Sequence, residues 1–243
     1  MASYSSLCSS QTDTSRCVGL LPALLSVIAG STDVTSFLGV GLFSSHVTGN
    51  LVILAAHVVA RRADNACLVL SVPLFILVLG LTRLLVAGLE ALDLSSLRPL
   101  LLLQFLMLGG SFVLGLASGP HPAPEAPGII VAGQLSVAAM AVQNALVELS
   151  LRGSPTTAVI TTNLTRFIMD AGEALLGRDP GEVAEARHRA KDTWPVIVGF
   201  TAGAGLGAAC FAAAGLKSLG LPAGLALLAL VMSLAVKPFG RKQ

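Results

Sequence analysis

Long apolar stretches dominate this chain, and short polar segments separate them. Six of the stretches are long enough to cross a bilayer, for which about 20 residues are required. They cover residues 18–43, 66–89, 98–118, 128–150, 193–214 and 218–236. The pattern predicts an all-α, polytopic membrane protein with six clear spanning helices.

Two further segments, residues 44–60 and 155–177, are shorter or more polar than the six. We predict that each forms a shorter polar membrane helix. If both helices span the membrane, eight spans give two parallel four-helix repeats. If neither spans, six spans give two inverted three-helix repeats.

Two internal repeats are predicted from a short motif that occurs twice. Val47-Thr48-Gly49-Asn50-Leu51 is matched by Ile160-Thr161-Thr162-Asn163-Leu164, and Asn50 and Asn163 lie 113 positions apart. An apolar stretch with a polar centre precedes each copy: the centre is Thr32-Asp33 in the first half and Gln143-Asn144 in the second. The predicted division is a disordered, Ser- and Thr-rich cytoplasmic tail at 1–17, a first repeat at 18–118, a loop at 119–127, a second repeat at 128–236 and a basic tail at 237–243.

Composition and charge agree with a membrane protein. Charged residues make up 12% of the chain, against roughly 25% in soluble domains, and the mean hydropathy is +0.82. The bias of Lys and Arg between loops predicts cytoplasmic termini in the six-span and eight-span schemes alike. Eight spans are slightly favoured because they keep the adjacent Arg61 and Arg62 inside. We expect the protein to be integral to the cell (plasma) membrane.

Polar side chains at membrane depth are the candidate functional groups, because burying them there costs a few kcal/mol. Asp33, near the middle of the first span, is the most costly. It suits a cation or proton partner, a carboxyl that stays protonated, or a cap on a helix broken near Gly30. Asn163, Arg166 and Asp170 share a helix face, and Arg166 and Asp170 could pair with each other. The residues predicted to line a polar, substrate-binding cavity are Asp33, His46, Thr48, Asn50, His57, Gln143, Asn144, Thr161, Asn163, Arg166 and Asp170.

Glycines and small polar residues predict two local structures. Thr48-Gly49-Asn50 is typical of a helix start or a break, where free backbone N–H groups point at a ligand. Gly199, Gly203 and Gly207 recur every four residues and predict a smooth face for close packing against another helix.

The sequence lacks the common catalytic signatures, such as the His-Glu-x-x-His zinc pattern and the Gly-x-Ser-x-Gly elbow. The protein is therefore not expected to be an enzyme, and we predict no cofactor and no metal. Four acidic residues balance the basic ones in the loop 178–192, so nucleic acid is not an expected partner. The expected partners are the lipid bilayer and a small solute or ion, and the sequence leaves homo-oligomer formation open.

Several of these residues together carry a resemblance to a known family. Asp33, the run Ser-His-Val-Thr-Gly-Asn at 45–50, Gln143-Asn144-Ala145 and the Thr-rich run at 156–165 resemble the YoaK-like family of polytopic membrane proteins. That resemblance covers about residues 18–236 and implies a multi-pass membrane protein without an assigned activity. The repeats and polar centres favour a small-solute transporter or channel-like carrier. A membrane scaffold or sensor is the alternative, and an intramembrane hydrolase is less favoured.

Overall fold

The computed structural model describes residues 3–61, 66–119, 126–151, 155–157 and 160–235, with side chains from residue 20 onward. Every regular element in these ranges is helical. The elements are α1 (Ser3–Val40), α2 (Val47–Val59), α3 (Ala66–Ala91), α4 (Leu97–Ala117), α5 (Pro127–Ser150), α6 (Ile160–Leu176), α7 (Pro180–Ala214), a short 3-10 helix (Gly215–Leu219) and α8 (Gly220–Ala235). The helices agree with the predicted apolar stretches and with the two shorter helices between them.

The described chain contains five helical segments that are long and apolar enough to cross a membrane. One of them, Pro180–Leu234, combines α7, the 3-10 helix and α8, and Gly215 with φ +57° marks the turn between the two α-helices. This confirms an integral membrane protein. α2 and α6 have only 13 and 17 residues.

The predicted domain boundaries compare with the structure as follows. The apolar part of α1 is Leu20–Val40, but the helix itself begins at Ser3. It therefore runs through most of residues 1–17, where the sequence predicts a disordered tail. Most of the predicted inter-repeat loop and all of the C-terminal tail at 237–243 lie outside the described residues.

Helix α5 lies in the centre of the bundle. Its small residues, including Ala132, Ala139 and Ala141, are fully buried, so neighbouring helices approach it closely. In contrast, the Leu-rich α3 leaves large side chains such as Ile76 and Leu84 mostly exposed. An exposed apolar surface of this kind is suited to contact with lipid.

α1 and α7 pack against each other through glycines. A Cβ atom on Gly199 would lie 2.7 Å from the Ala23 carbonyl oxygen, and one on Gly203 would lie 2.2 Å from the Val27 carbonyl oxygen. The residue numbers of the contacting positions increase together along both helices, so α1 and α7 run parallel. The predicted packing role of this glycine row is confirmed, since Gly207 also lies against α1, at Ser31.

Contacts between helix ends show the direction of the remaining helices. Gly133, early in α5, meets Val40 at the end of α1, whereas Gln143, later in α5, bonds to the Leu25 carbonyl. α1 and α5 are therefore antiparallel. Similar end contacts join α4 to α5 (Ser111 to Ala132, Ser96 to Ser150), α3 to α5 (Cys67 to Gln134) and α8 to α4 (Ser233 to Arg98).

These contacts define two ends of the bundle, named after the two ends of the apolar part of α1. Helices α1, α4 and α7 run from the Leu20 end to the Val40 end, and α3, α5 and α8 run back. The helix contacts also come in matching pairs: α1 with α7 and α5 with α3, α2 with α3 and α6 with α7, α1 with α8 and α5 with α4. Exchanging the first four helices for the last four reproduces the same set of contacts.

Candidate functional site

The segment between α1 and α2 folds back into the bundle, and Asp33 holds it there. α1 ends next to Gly41, whose φ of +76° lets the chain reverse. The Asp33 Oδ1 atom then accepts hydrogen bonds from the backbone N–H groups of Ser44 at 2.8 Å and Ser45 at 2.6 Å, and from the Ser44 hydroxyl at 3.3 Å. The Asp33 side chain is only 5% exposed, and the donors from the folded-back segment offset the cost of burying its carboxyl group.

His46 occupies the other oxygen of the same carboxyl group. The distance from His46 Nδ1 to Asp33 Oδ2 is 2.5 Å. The imidazole lies nearly perpendicular to two aromatic rings, with centroid distances of 6.4 Å to Phe43 and 5.4 Å to Phe200 of α7. The His46 side chain is 36% exposed. The structure therefore contains a buried carboxyl paired with a half-buried imidazole, which we call the Asp33–His46 pair.

Asn50 fixes the folded-back segment from the α2 side. Its Oδ1 atom accepts from the Phe43 N–H at 2.8 Å, and its Nδ2 atom donates to the Phe43 carbonyl at 2.8 Å and to the Ser71 hydroxyl at 3.1 Å. The predicted helix start at Thr48-Gly49-Asn50 is confirmed, because α2 begins at Val47. Both ends of the Asn50 amide are satisfied, so the residue acts as a clamp on the segment 41–46.

The second half of the chain contains a corresponding arrangement. Asn163 Nδ2 donates to the Thr156 carbonyl seven residues earlier, the same spacing as Asn50 to Phe43. Gln143 takes the place of Asp33, because its Nε2 atom donates to the Thr157 hydroxyl at 2.9 Å in the segment before α6. The two polar centres and the two Asn motifs found in the sequence therefore make the same type of contact in space.

The second arrangement differs from the first in having buried oxygens without partners. Asn163 Oδ1, Thr156 Oγ1 and Gln104 Oε1 are buried and accept no hydrogen bond from any group in the described residues. Gln104 lies beside this segment because its Nε2 atom donates to Gln143 Oε1 at 2.6 Å. Buried polar atoms are nearly always paired in folded proteins, so these oxygens are candidates for contact with a solute.

The two arrangements meet on α1. The Ser45 hydroxyl contacts the Ala29 carbonyl at 3.3 Å, and Gln143 Nε2 donates to the Leu25 carbonyl at 2.9 Å. Those carbonyls are four residues apart, which is about 6 Å along a helix and on the same face. The folded-back segment of the first half and the polar centre of the second half are therefore neighbours.

The other predicted site residues are less buried than this centre or make different contacts. Thr48, Thr161 and Arg166 are exposed, while His57 and Asn144 are half-buried. Asp170 bonds to Arg189 of α7, at 2.9 Å from both Nε and Nη2. The suggested pairing of Asp170 with Arg166 is thus replaced by an ion pair between α6 and α7. The structure brings together Asp33, His46, Asn50, Gln143 and, through Thr156, Asn163.

Several residues of the site were missed from the sequence. Three of them lie in the segments that follow the ends of α1 and α5: Ser44, Ser45 and Thr157. No helical periodicity relates these residues to Asp33 or Gln143, because the helix has already ended. Gln104 had a clear signal, since it interrupts a run of leucines in the middle of a spanning stretch. Asp33 and His46 are both metal-ligating types, but no third His, Cys, Asp or Glu joins them in the part of the chain that the structure describes.

A family model described as "Protein of unknown function (DUF1275)" matches residues 21–232. The match covers most of the chain, so the protein belongs to this family, in agreement with the YoaK-like resemblance. No curated protein and no solved structure shows a significant match.

Proposed function

We propose that this member of the DUF1275 family is a small-solute transporter or channel-like carrier with its polar site between two repeats. The observation that carries the proposal is the duplicated folded-back segment: Asn50 clamps the first and Asn163 clamps the second. The first segment contacts α1 at Ala29, and Gln143, which binds the second segment, contacts α1 one turn away at Leu25. Discontinuous helices that place backbone and polar groups at membrane depth are typical of solute carriers.

The helix directions support six spans and inverted repeats. α2 begins beside Asp33, within the bundle, and leads to the start of α3 at the Val40 end. α6 begins beside Gln143 and leads to the start of α7 at the opposite end. Neither helix would then cross the membrane, and the antiparallel α1 and α5 would be equivalent helices of inverted units. This scheme replaces the slight preference for eight spans that the Arg61 and Arg62 pair gives.

The unpaired oxygens near α6 support a solute that donates hydrogen bonds. Asn163 Oδ1 and Gln104 Oε1 are acceptors only, and the Thr156 hydroxyl can accept as well as donate. A small molecule with hydroxyl, amide or amine groups would satisfy them. The described hydrogen bond of the His46 ring is to Asp33, and the ring lies against Phe43 and Phe200. The proposal is for a protein without enzymatic activity.

Labelling of single cysteines in a cysteine-free background tests the six-span scheme. A cysteine at Ala63 in the α2–α3 loop should react with an impermeant maleimide from outside intact cells. A cysteine at Glu185 should react only after the cells are opened, because we propose that the Leu20 end and both termini are cytoplasmic. Eight spans would place both positions inside, so protection of Ala63→Cys would contradict the scheme.

Swelling of proteoliposomes tests the transport proposal. Urea, glycerol and methylammonium are suitable probes, and stopped-flow light scattering should show faster entry of at least one of them than into empty liposomes. Gln143→Leu should slow that entry, since it removes the bonds to Thr157 and Leu25. Thr201→Ala is the control, because the Thr201 hydroxyl is exposed and bonds only within α7, to the Ile197 carbonyl.

The alternative of a membrane scaffold or sensor predicts a different result. In that case none of the probes would enter faster than into empty liposomes, and Gln143→Leu would change only protein stability. The swelling assay would then be repeated with a wider panel of neutral and cationic solutes. Failure across that panel would favour the scaffold.

A further inference from the structure

We infer that the Asp33–His46 pair is a proton-binding site, and that the proton is the ion to which solute movement is coupled. The coupling part of this inference rests on the proposed transport function. The binding part rests only on the geometry of the pair. His46 Nδ1 lies 2.5 Å from Asp33 Oδ2, and an ionised carboxyl group has only acceptors. With Asp33 ionised, Nδ1 is the donor, and Nε2 is left as the atom that receives a proton.

The bonds around Asp33 favour a proton over a metal cation. Oδ1 already accepts from two backbone N–H groups and the Ser44 hydroxyl, and Oδ2 faces His46. A hard cation needs about six oxygen ligands, and it would have to displace these donors, which it cannot replace. A proton on Nε2 leaves every one of these bonds in place.

Proton binding would change the charge of the site from −1 to zero. Before binding, an Asp33 carboxylate lies beside a neutral imidazole. After binding, the carboxylate lies beside an imidazolium, and the two charges compensate. A net charge at membrane depth is unfavourable, so the protonated pair is the form that can move into or through an apolar part of the protein. This is the property that a coupling site requires.

In the part of the chain that the structure describes, no third His, Cys, Asp or Glu joins the pair. α1 contributes Asp33 itself, α7 contributes the Phe200 ring, and the folded-back segment contributes Phe43 and two serines. The second half places the neutral amide of Gln143 where the first half has Asp33. We therefore expect one proton site for each chain.

Acylation by diethyl pyrocarbonate tests the inference directly, because the reagent reacts with unprotonated imidazole. The full-length protein is labelled in lipid nanodiscs, and peptide mass spectrometry follows each histidine. Between about pH 8 and about pH 5, the rate at His46 should fall about thirty-fold or more as Nε2 takes up a proton. In Asp33→Asn the rate should stay close to its high-pH value, because an imidazolium without its carboxylate is uncompensated. His188, exposed at the start of α7, is the internal control and should behave alike in both proteins.

Two results would overturn the inference: no acylation of His46 at any pH, which means no aqueous access, or the same pH profile in Asp33→Asn as in the wild type. If Asp33→Asn does not fold, potentiometric titration of the wild type against His46→Gln replaces it. The wild type should take up about one more proton over the same range, and equal uptake would reject the site. Neither measurement depends on solute entry, so failure here is distinct from failure in the swelling assay.

Discussion

The two folded-back segments share a clamp and differ in chemistry. In the first, an acidic residue binds the segment, and the amide of Asn50 is satisfied on both sides. In the second, a neutral residue binds the segment, and Asn163 Oδ1 remains without a partner among the described residues. The first segment is thus suited to binding a proton, and the second to binding a hydrogen-bonding solute.

Under the proposed function, this difference gives each of the two segments its own role. The shared part is the seven-residue bond from the Asn side chain back to the preceding segment, which holds the chain in place within the bundle. The part that differs is the polar centre on the preceding helix, which is a carboxyl in the first half and an amide in the second. Ser45 of the first segment and Gln143, which binds the second segment, contact one face of α1, and under the proposed function this shared face would couple the two events.

The largest expected effect comes from separating α1 from α7. Gly203→Val places a branched side chain where a single Cβ would already lie 2.2 Å from the Val27 carbonyl oxygen. The clash is with backbone, so the helices must separate, and overpacking of this severity should cost about 3 kcal/mol or more. Phe200 would move away from His46 as a result. Thermal melting in detergent should show the loss, and the first segment should be affected more than the second.

The matched control is Gly205→Val in the same helix. A Cβ on Gly205 would meet nothing within 4 Å, so this variant should melt close to the wild type. If both valine variants melt alike, the close approach of α1 and α7 is not what holds the first segment in place.

The apolar pattern was sufficient to predict the helices, because spanning stretches have to be long and continuous. The repeated Asn motif and the two polar centres could also be recognised from the sequence, because their residue types recur in the same order in both halves. It could not predict that Asp33 pairs with His46, since the intervening chain leaves its helix at Gly41 and returns, and periodicity has no meaning across such a break. The partner of Asp170 could not be predicted for another reason. Arg189 lies on a different helix, and the packing of α6 against α7 sets the distance between the two side chains.

The clamps themselves should differ in strength. Asn50→Ala leaves the Phe43 N–H and carbonyl groups and the Ser71 hydroxyl without their partner, and unsatisfied buried groups cost about 1–3 kcal/mol each in general. Membrane bundles recover part of that cost, so we expect about 2 kcal/mol of destabilisation. Asn163→Ala removes one described bond and should cost about 1 kcal/mol. Melting of both variants in the same detergent provides the measurement.

A reversed order would change the comparison. If Asn163→Ala were the more damaging variant, the Oδ1 atom of Asn163 would have to be bonded in the folded protein. It would then not be a free acceptor for a solute at the second segment. A stabilising solute found in the swelling assay offers a second check. It should raise the melting temperature of the wild type and of Asn50→Gln, but not that of Asn163→Ala.

The smallest expected effect concerns the ion pair between Asp170 of α6 and Arg189 of α7. Asp170→Asn weakens the bonds to Arg189, whose side chain is 54% exposed, so solvent should limit the loss to about 0.5 kcal/mol. Glu185→Gln is the control, because its contact with Arg189 is longer, at 3.5 Å, and its loss should be too small to detect. Added salt should reduce the difference between wild type and Asp170→Asn in melting experiments. A loss several times larger, insensitive to salt, would mean that this ion pair positions α6 and thereby the second folded-back segment.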